Sequence, residues 1–210
     1  MKRNLKDVFW LGGSPCAGKS SISNILASRF DLYVYRVDEA FENHVQHLDS
    51  EIHATLVKWC AASWNERWMQ SVESLVQEVI ACYREHFTLI LDDVLALPKH
   101  KSLLVEGTAL MPKEVARVLT SRNQAVWVVP TADFQREHYA KRDWVAGIVG
   151  QCDASEAAFQ NWMERDVQFA RWIITEAETL GCKVFVVDGR HTVEENTLEI
   201  AAHYGLEDVS

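Results

Sequence analysis

The sequence is poor in the features that divide a chain into domains. Its 210 residues include four prolines and nine glycines, and it has no internal repeat, low-complexity tract or flexible linker. With 48% hydrophobic residues the chain can bury one sizeable core, and we expect a single domain over 1–210. No apolar run approaches the roughly 20 residues that span a bilayer, so no membrane role is expected.

Basic residues are also scarce, and cysteines do not occur in paired motifs. Lys and Arg number 21 against 30 Asp and Glu, and the net charge of −9 disfavours binding to nucleic acid or to anionic lipid. The five cysteines are odd in number and form no CxxC motif, which predicts reduced thiols in a cytoplasmic protein. The basic N-terminus carries only a short apolar run, which is predicted to be a strand and not a signal peptide.

Short apolar runs, most of them rich in valine and aromatic residues, alternate with helical patterns along the chain. Five of these runs are predicted strands: 8–12, 32–37, 102–107, 125–129 and 184–189. This alternation predicts an α/β fold in which helices cover both faces of a parallel sheet.

Capping patterns mark the beginnings of two predicted helices. Apolar residues recur at helical spacing over about 155–180, and Asp153 with Glu156 resembles a capping pair at the start of that helix. Thr192 with Glu195 forms a capping box that predicts the start of the last helix.

The segment 87–98 fits either a strand or a helix. As a strand it would end in Asp92 and Asp93, an acid pair suited to a metal; its apolar residues are equally at helical spacing. Only nine residues separate Asp92 from the run at 102–107, and a strand–helix–strand crossover needs about a dozen or more. The helix is therefore favoured, and both aspartates are expected to be carboxylates on its surface.

A glycine-rich loop joins the first predicted strand to the first helix. Its pattern over 13–20 is Gly-x4-Gly-Lys-Ser, whose glycines let successive backbone N–H groups converge on an anion at a helix N-terminus. Lys19 would contact the β- and γ-phosphates of a nucleotide, and the Ser20 hydroxyl would bind Mg²⁺. A thiol near a helix N-terminus, such as that of Cys16, can be reactive. The predicted nucleotide-binding residues here are Gly13, Ser14, Pro15, Cys16, Ala17, Gly18, Lys19, Ser20 and Ser21.

On the strength of this loop the sequence resembles the P-loop NTPases, and among them the nucleoside, nucleotide and shikimate kinase-like group. The resemblance extends to the order of elements along the chain, although only the loop is highly specific. It implies a three-layer α/β/α fold, a five-stranded parallel sheet in the order 2-3-1-4-5, and ATP with Mg²⁺ as cofactors. It also implies a helical acceptor-binding region at about 39–95 and a lid over the phosphates at about 134–150.

Two acids at the ends of predicted strands match functional positions of this group. Asp38 follows the second strand, where shikimate kinase-like enzymes contact the acceptor hydroxyl, and could take its proton; a helix cap is the alternative. Glu106 ends the third strand, where an acid helps to hold Mg²⁺, although aspartate is commoner there; a buried structural glutamate is the alternative. The adjacent Gly107 would let substrate approach the backbone.

Cationic residues after the fourth strand match the lid arginines with which these kinases close on the transferring phosphoryl group. Arg136 and Arg142 are the candidates, with a solvated helix face as the alternative. Arg165 falls where a further arginine can come from the helix after the lid. Gly189 and Arg190, after the fifth strand, are the candidates for contacts near the adenine.

The region at 39–95 is rich in tryptophan and histidine. Trp59, Trp64 and Trp68 are predicted to share a helix face, either as part of the core or as a wall for an aromatic or apolar substrate. His44 and His47 have helical spacing, but no partner completes a metal motif.

The sequence therefore predicts an ATP- and Mg²⁺-dependent phosphotransferase that moves the γ-phosphoryl group to a hydroxyl of a small molecule. Lys19, Asp38, Arg136 and Arg142 would carry the chemistry, and Ser20 with Glu106 the metal. A nucleotide kinase is the alternative enzyme, and a non-catalytic nucleotide-binding module is the alternative from another class. We expect a cytoplasmic monomer or homodimer with no nucleic-acid or membrane partner.

Overall fold

The computed structural model describes residues 3–207. The strands are β1 Val8–Gly13, β2 Tyr33–Arg36, β3 Leu103–Glu106, β4 Ala125–Pro130 and β5 Lys183–Val187. The helices are α1 Lys19–Phe30, α2 Val37–Val45, α3 Ala54–Ala61, α4 Trp64–Trp68, α5 Val72–Ala96, α6 Pro112–Ala116, α7 Ala132–Tyr139, α8 Asp143–Val149, α9 Ser155–Thr179 and α10 Val193–Tyr204. Within 3–207, no helix is both long and apolar enough to cross a bilayer.

The five strands form one parallel sheet in the order β2-β3-β1-β4-β5. All five predicted strands are confirmed, and so is the order that the resemblance implied. Leu11 of β1 and Arg36 of β2 both pair with Glu106 of β3. The carboxyl ends of these three strands therefore meet at one edge of the sheet, which is where ligands bind in open α/β folds.

Both faces of the sheet are buried, which explains why the strands lack an alternation of apolar and polar residues. Trp10 and Trp127 lie on the face that packs against α5 and α9. Leu11 and Val128 lie on the opposite face, against α1 and α10. The fold thus has the three α/β/α layers that the resemblance implied.

The ambiguous segment 87–98 is helical, as favoured, and forms the second half of α5. The predicted helical stretch at 39–95 contains the four helices α2 to α5. Asp92 is exposed, as expected, but Asp93 is not a free surface carboxylate. Its Oδ2 accepts a hydrogen bond of 2.7 Å from the Tyr35 hydroxyl and lies 3.0 Å from Nε2 of His44.

The three tryptophans do not share one helix face, contrary to prediction. Trp59 belongs to α3, whereas Trp64 and Trp68 belong to α4. Ala62 ends the first helix because its backbone is extended, and Ser63 caps the second with its side chain, which accepts a hydrogen bond from the Glu66 amide.

The predicted capping pair Asp153 and Glu156 is wrong, whereas the capping box at Thr192 is confirmed. Ala154 precedes α9, and no side chain caps that helix. Asp153 instead exchanges two 2.9 Å hydrogen bonds with Asn65 of α4. These bonds tie the start of α9 to the tryptophan-rich helices.

Candidate functional site

The backbone conformation of the loop between β1 and α1 suits the binding of an anion. Gly13 and Gly18 have φ of 127° and 77°, and Cys16 also adopts a left-handed conformation, with φ of 63°. Gly18 precedes α1 without a capping side chain, so the first N–H groups of that helix are left for another partner. Burial raises the pKa of the Cys16 thiol, which opposes the predicted reactivity.

Lys19 and Ser14 show that the loop suits an anionic ligand. The Lys19 side chain is buried, and its Nζ donates a 2.8 Å hydrogen bond to the Ser14 carbonyl oxygen. Burial lowers the pKa of Lys19, while Glu106 and Asp38 oppose that shift. The fully buried Ser14 hydroxyl has no hydrogen-bond partner among the described residues. A buried hydroxyl without a partner and a buried ammonium both gain from a phosphate.

Ser20 and Glu106 are adjacent, as a shared Mg²⁺ site requires. The Ser20 hydroxyl lies 3.4 Å from Oε2 of Glu106, to which it donates. Glu106 is buried, and burial raises its pKa, with the Lys19 charge acting in the opposite direction. Over 3–207 no group of three or more His, Cys, Asp or Glu side chains could hold a metal. Mg²⁺ is usually held by few protein oxygens together with water and substrate phosphates, and the adjacent Ser20 hydroxyl and Glu106 carboxylate are oxygen ligands of the kind it takes.

Asp38 lies in the first turn of α2, immediately after β2. The residue that caps this helix is Arg36, so Asp38 is not the cap that sequence allowed as an alternative. Gly107 explains how α2 can begin so close to β3. A Cβ on Gly107 would lie 2.5 Å from Cβ of Val37, so the glycine admits the start of α2. The predicted approach of a substrate to its backbone stays a prediction.

These groups surround a cavity of about 440 Å³, which we call the loop cavity. It is lined by loop residues 15–21, by Asp38 and Glu106, and by Arg142 and Arg165, with aromatic rings between them. Gly13 and Ser14 shape the loop without lining the cavity. The structure thus brings most of the predicted nucleotide and metal residues to one place, together with two cations.

The predicted lid at 134–150 comprises most of α7 and all of α8. Its Arg142 lines the loop cavity, with the guanidinium carbon 5.1 Å from the centre of the Tyr139 ring and 5.7 Å from that of Trp144. The structure does not bring Arg136 there. Arg136 forms a surface ion pair of 3.5 Å with Glu164, because its side chain projects from α7 toward α9. Motion of the lid stays a prediction.

Arg165 is a buried cation that lines the loop cavity, and its charge is paired with that of Asp166. Its Nε lies 2.6 Å from Oδ1 of Asp166, and its guanidinium carbon lies 5.0 Å from the centre of the Trp68 ring. Asp166 is 1% exposed, accepts a 2.7 Å bond from the Tyr139 hydroxyl, and has its pKa raised by burial. Sequence reasoning missed Asp166 and Tyr139; a charged Arg-Asp pair within the apolar pattern of α9 was the available signal.

Gly189 and Arg190 lie outside the loop cavity. Gly189 has φ of 86°, and a Cβ there would lie 3.3 Å from the Phe134 ring. Arg190 is exposed and pairs with Asp188, with Nε 2.5 Å from Oδ2. Their contact with adenine stays a prediction.

A second cavity, of about 300 Å³, adjoins the first, and we call it the aromatic cavity. It shares Asp38, Tyr83 and Arg165 with the loop cavity. The remainder of its lining comes largely from apolar and aromatic side chains of α2 to α5, and includes Trp59 and Trp68 but not Trp64. All three tryptophans belong to or pack against one hydrophobic cluster, which confirms the core interpretation. Two of them also line this cavity, and their contact with a substrate stays a prediction.

Comparisons with known proteins give fold likeness only. No family model and no curated protein matches the chain. The chain is similar to the crystal structure of shikimate kinase from Aquifex aeolicus vf5, at 16% identity and a TM-score of 0.44, covering 93% of this chain and 94% of that one. It is also similar to a protein from Chloroflexus aurantiacus j-10-fl provisionally named a kinase, at 14% identity and a TM-score of 0.41, covering 94% and 98%. Likeness at this level leaves the reaction to be argued from the site.

Proposed function

We propose that this protein is an ATP- and Mg²⁺-dependent phosphotransferase that transfers the γ-phosphoryl group to a hydroxyl of a small molecule. The observation that carries the proposal is the junction of the two cavities. An anion-binding loop with a buried lysine faces one cavity, an aromatic pocket forms the other, and Asp38 and Arg165 line both. A carboxylate and a cation thus lie where an acceptor hydroxyl would meet a phosphoryl group.

The residues divide the chemistry between them. Bound Mg·ATP would supply the phosphoryl group and a metal that neutralises part of its charge. The loop amides and Lys19 would hold the phosphates, and Ser20 and Glu106 the metal. Arg165 would stabilise negative charge on the transferring group, and Asp38 would accept the proton of the attacking hydroxyl.

The composition of the aromatic cavity favours a hydroxyl acceptor over a phosphate acceptor. Among the described residues that line it, Arg165 is the only arginine or lysine, and that cation is already paired with Asp166. A nucleotide kinase must hold an acceptor phosphate, for which clustered cations are usual. The cavity instead offers rings and aliphatic side chains with one carboxylate, Asp38.

A nucleotide-consumption screen tests the proposal. The purified chain is incubated with Mg·ATP and, separately, with aryl and alkyl alcohols, sugars, nucleosides and nucleoside monophosphates, and ADP is measured. We expect acceptor-dependent ADP formation with at least one neutral alcohol, and none with the Lys19→Ala variant. Phosphate transfer to the hydroxyl is then checked by phosphorus NMR.

The same screen separates the alternatives. Turnover confined to nucleoside monophosphates would identify a nucleotide kinase. Tight Mg·ATP binding without turnover across the panel would support a binding module. Absence of Mg·ATP binding would refute the proposal at its first step.

A further inference from the structure

A chain of hydrogen bonds runs from half-exposed Asp93 to the wall of the aromatic cavity. Asp93 Oδ2 lies 3.0 Å from His44 Nε2, and His44 Nδ1 lies 2.7 Å from Nε2 of His86. His86 is 2% exposed and lines the cavity. The chain of Asp93, His44 and His86, which we call the histidine relay, therefore links that cavity to a carboxylate on the outer side of α5.

When His44 and His86 are both neutral, each ring carries one proton. The hydrogen bonds along the relay then determine which nitrogen of each ring is protonated. A carboxylate only accepts, so His44 donates from Nε2 to Asp93. The other ring nitrogen of His44, Nδ1, must then accept, and His86 donates to it from Nε2. Nδ1 of His86 is consequently the end of the relay, and it carries a lone pair and no proton.

This terminal nitrogen has no hydrogen-bond partner within residues 3–207. Two other histidines place Nδ1 2.8 Å from a carbonyl oxygen four residues earlier: His138 of α7 with Phe134, and His47, in the turn after α2, with Asn43. Among the described residues, Nδ1 of His86 has no such bond. This nitrogen is not one of the fully buried polar atoms that lack a partner. Because His86 lines the aromatic cavity, a donor group of a ligand in that cavity would give Nδ1 a hydrogen bond.

His86 is also held neutral. Burial lowers its pKa to about 3, and the neighbouring His44 and His53 add to the shift. The ring is fixed in orientation by His44 and by the edge-to-face contact with Phe41, whose centroid lies 5.3 Å away. A neutral, oriented acceptor within an apolar cavity distinguishes ligands that carry an N–H or O–H from those that do not.

Resting on the proposed function, we infer that the acceptor is an uncharged aromatic alcohol with a second hydrogen-bond donor, and that His86 selects it by accepting from that donor. The aromatic body lies against Trp59 and Trp68, and the reacting hydroxyl lies toward Asp38 and Arg165. His86 thus contributes to specificity and takes no part in the transfer of the phosphoryl group.

Three alcohols that differ at one position test the inference on the unmodified protein. Tyrosol carries a phenol donor, its O-methyl ether has an acceptor only, and phenethyl alcohol has neither. Calorimetric titration without nucleotide should show tyrosol binding at least about tenfold more tightly than both others, because only tyrosol can donate a hydrogen bond to Nδ1 of His86. Equal affinities, tighter binding of the methyl ether, or no binding of any of the three would overturn the inference.

Substitutions assign the preference to His86. His86→Phe keeps a ring and removes the acceptor, so tyrosol should lose its advantage while phenethyl alcohol binds within about threefold of its original affinity. His86→Asn keeps an acceptor oxygen close to the position of Nδ1 and should retain part of the preference. His47→Phe alters an exposed histidine of the same region and should change nothing. Full preference in folded His86→Phe would refute the assignment.

These experiments test acceptor binding and phosphoryl transfer separately, so either proposal can be refuted without the other. A tyrosol preference without ADP formation would leave the inference standing and refute the proposed transfer. If ADP forms with alcohols but their affinity does not depend on the phenol donor, the inference is refuted and the proposed phosphotransferase activity stands. The calorimetric series measures only the cavity, and the phosphorus NMR measures only the reaction.

Discussion

The loop cavity and the aromatic cavity share part of their lining, but the remaining residues of the two cavities differ in chemical character. The loop cavity is formed by backbone amides and by charges of both signs, including Lys19, Glu106 and Arg142. The aromatic cavity is formed mainly by rings and aliphatic side chains, and its one terminal acceptor, on His86, is neutral. Charge is concentrated where a phosphoryl group would move, whereas the aromatic cavity, apart from Asp38 and Arg165 at the junction, is lined mainly by apolar and aromatic side chains.

This difference predicts that variants will separate by kinetic parameter. Substitutions in the loop cavity should act on kcat or on nucleotide binding, because those groups act on charge that changes during transfer. Substitutions in the aromatic cavity should act on acceptor affinity. A variant of one cavity that behaves like the other would break the division.

The largest effect is expected from Lys19→Ala. Loss of the buried ammonium removes the charge that faces the phosphates, so Mg·ATP binding and turnover should both fall below detection while the fold persists. Calorimetry and an ADP assay measure these losses, and circular dichroism checks the fold. Lys141→Ala is the control, because that lysine is exposed and pairs with Glu137 on the surface. Unchanged ATP affinity in Lys19→Ala would contradict the site.

Asp38→Asn should be next in size. Removing a general base costs about 10²–10⁴-fold in rate, so kcat should fall by that factor while the Kd for Mg·ATP changes little. The neighbouring exposed carboxylate gives the control, Glu39→Gln, which should retain full activity. If Asp38→Asn keeps its kcat on the identified acceptor, the carboxylate has only a structural role.

The lid arginines should separate sharply. Arg142→Gln removes a donor beside the loop cavity and should lower kcat by about 10²-fold, whereas Arg136→Gln breaks a surface ion pair and should change kcat less than twofold. Hydrogen exchange over 134–150, with and without a non-hydrolysable ATP analogue and acceptor, reports closure. Equal kcat in the two variants would show that Arg142 takes no part in the transfer.

The last prediction concerns stability and its dependence on pH. An unfolded histidine takes up a proton below about pH 6.5, whereas folded His86 resists protonation down to about pH 3. The unfolded state therefore binds more protons in this window, and the free energy of unfolding should fall as the pH drops, by at most about 1.4 kcal/mol per unit. Denaturant titrations between those limits should show a shallower slope for His86→Asn than for His47→Asn. Identical slopes would mean that His86 titrates normally.

The same contrast explains what could be predicted. The glycine-rich loop is contiguous in the sequence, and its glycines, lysine and serine have the spacing that one phosphate ligand would require. The amino-acid sequence alone therefore predicts that residues 15–21 belong together, and they line one cavity. The sheet order was implied by the resemblance. The helix at 87–98 was predicted because too few residues follow Asp92 to form another strand–helix–strand crossover. These predictions depend on local spacing or on chain length.

The aromatic cavity could not be predicted in this way. His86, His44 and Asp93 meet because α2 packs against α5, and residues 42 and 49 positions apart have no pattern that links them. The position of Arg136 is a similar case: the sequence predicts a lid helix but not the face of that helix, and Arg136 pairs with Glu164 on the surface. Its role in transfer stays a prediction. The side of a helix that meets a ligand depends on packing angles that no local motif encodes.

One feature of the wall between the cavities bears on how two substrates would be bound. Trp68 lines the aromatic cavity, Trp162 lines the loop cavity, and their rings stack with centroids 4.3 Å apart and planes 12° from parallel. A ligand that shifts one ring must displace the other, so the two binding equilibria share an energetic term. Linkage makes that term reciprocal: the factor by which nucleotide alters acceptor affinity equals the factor by which acceptor alters nucleotide affinity. If both cavities bind ligands as proposed, the stacked indole rings would couple the two binding equilibria.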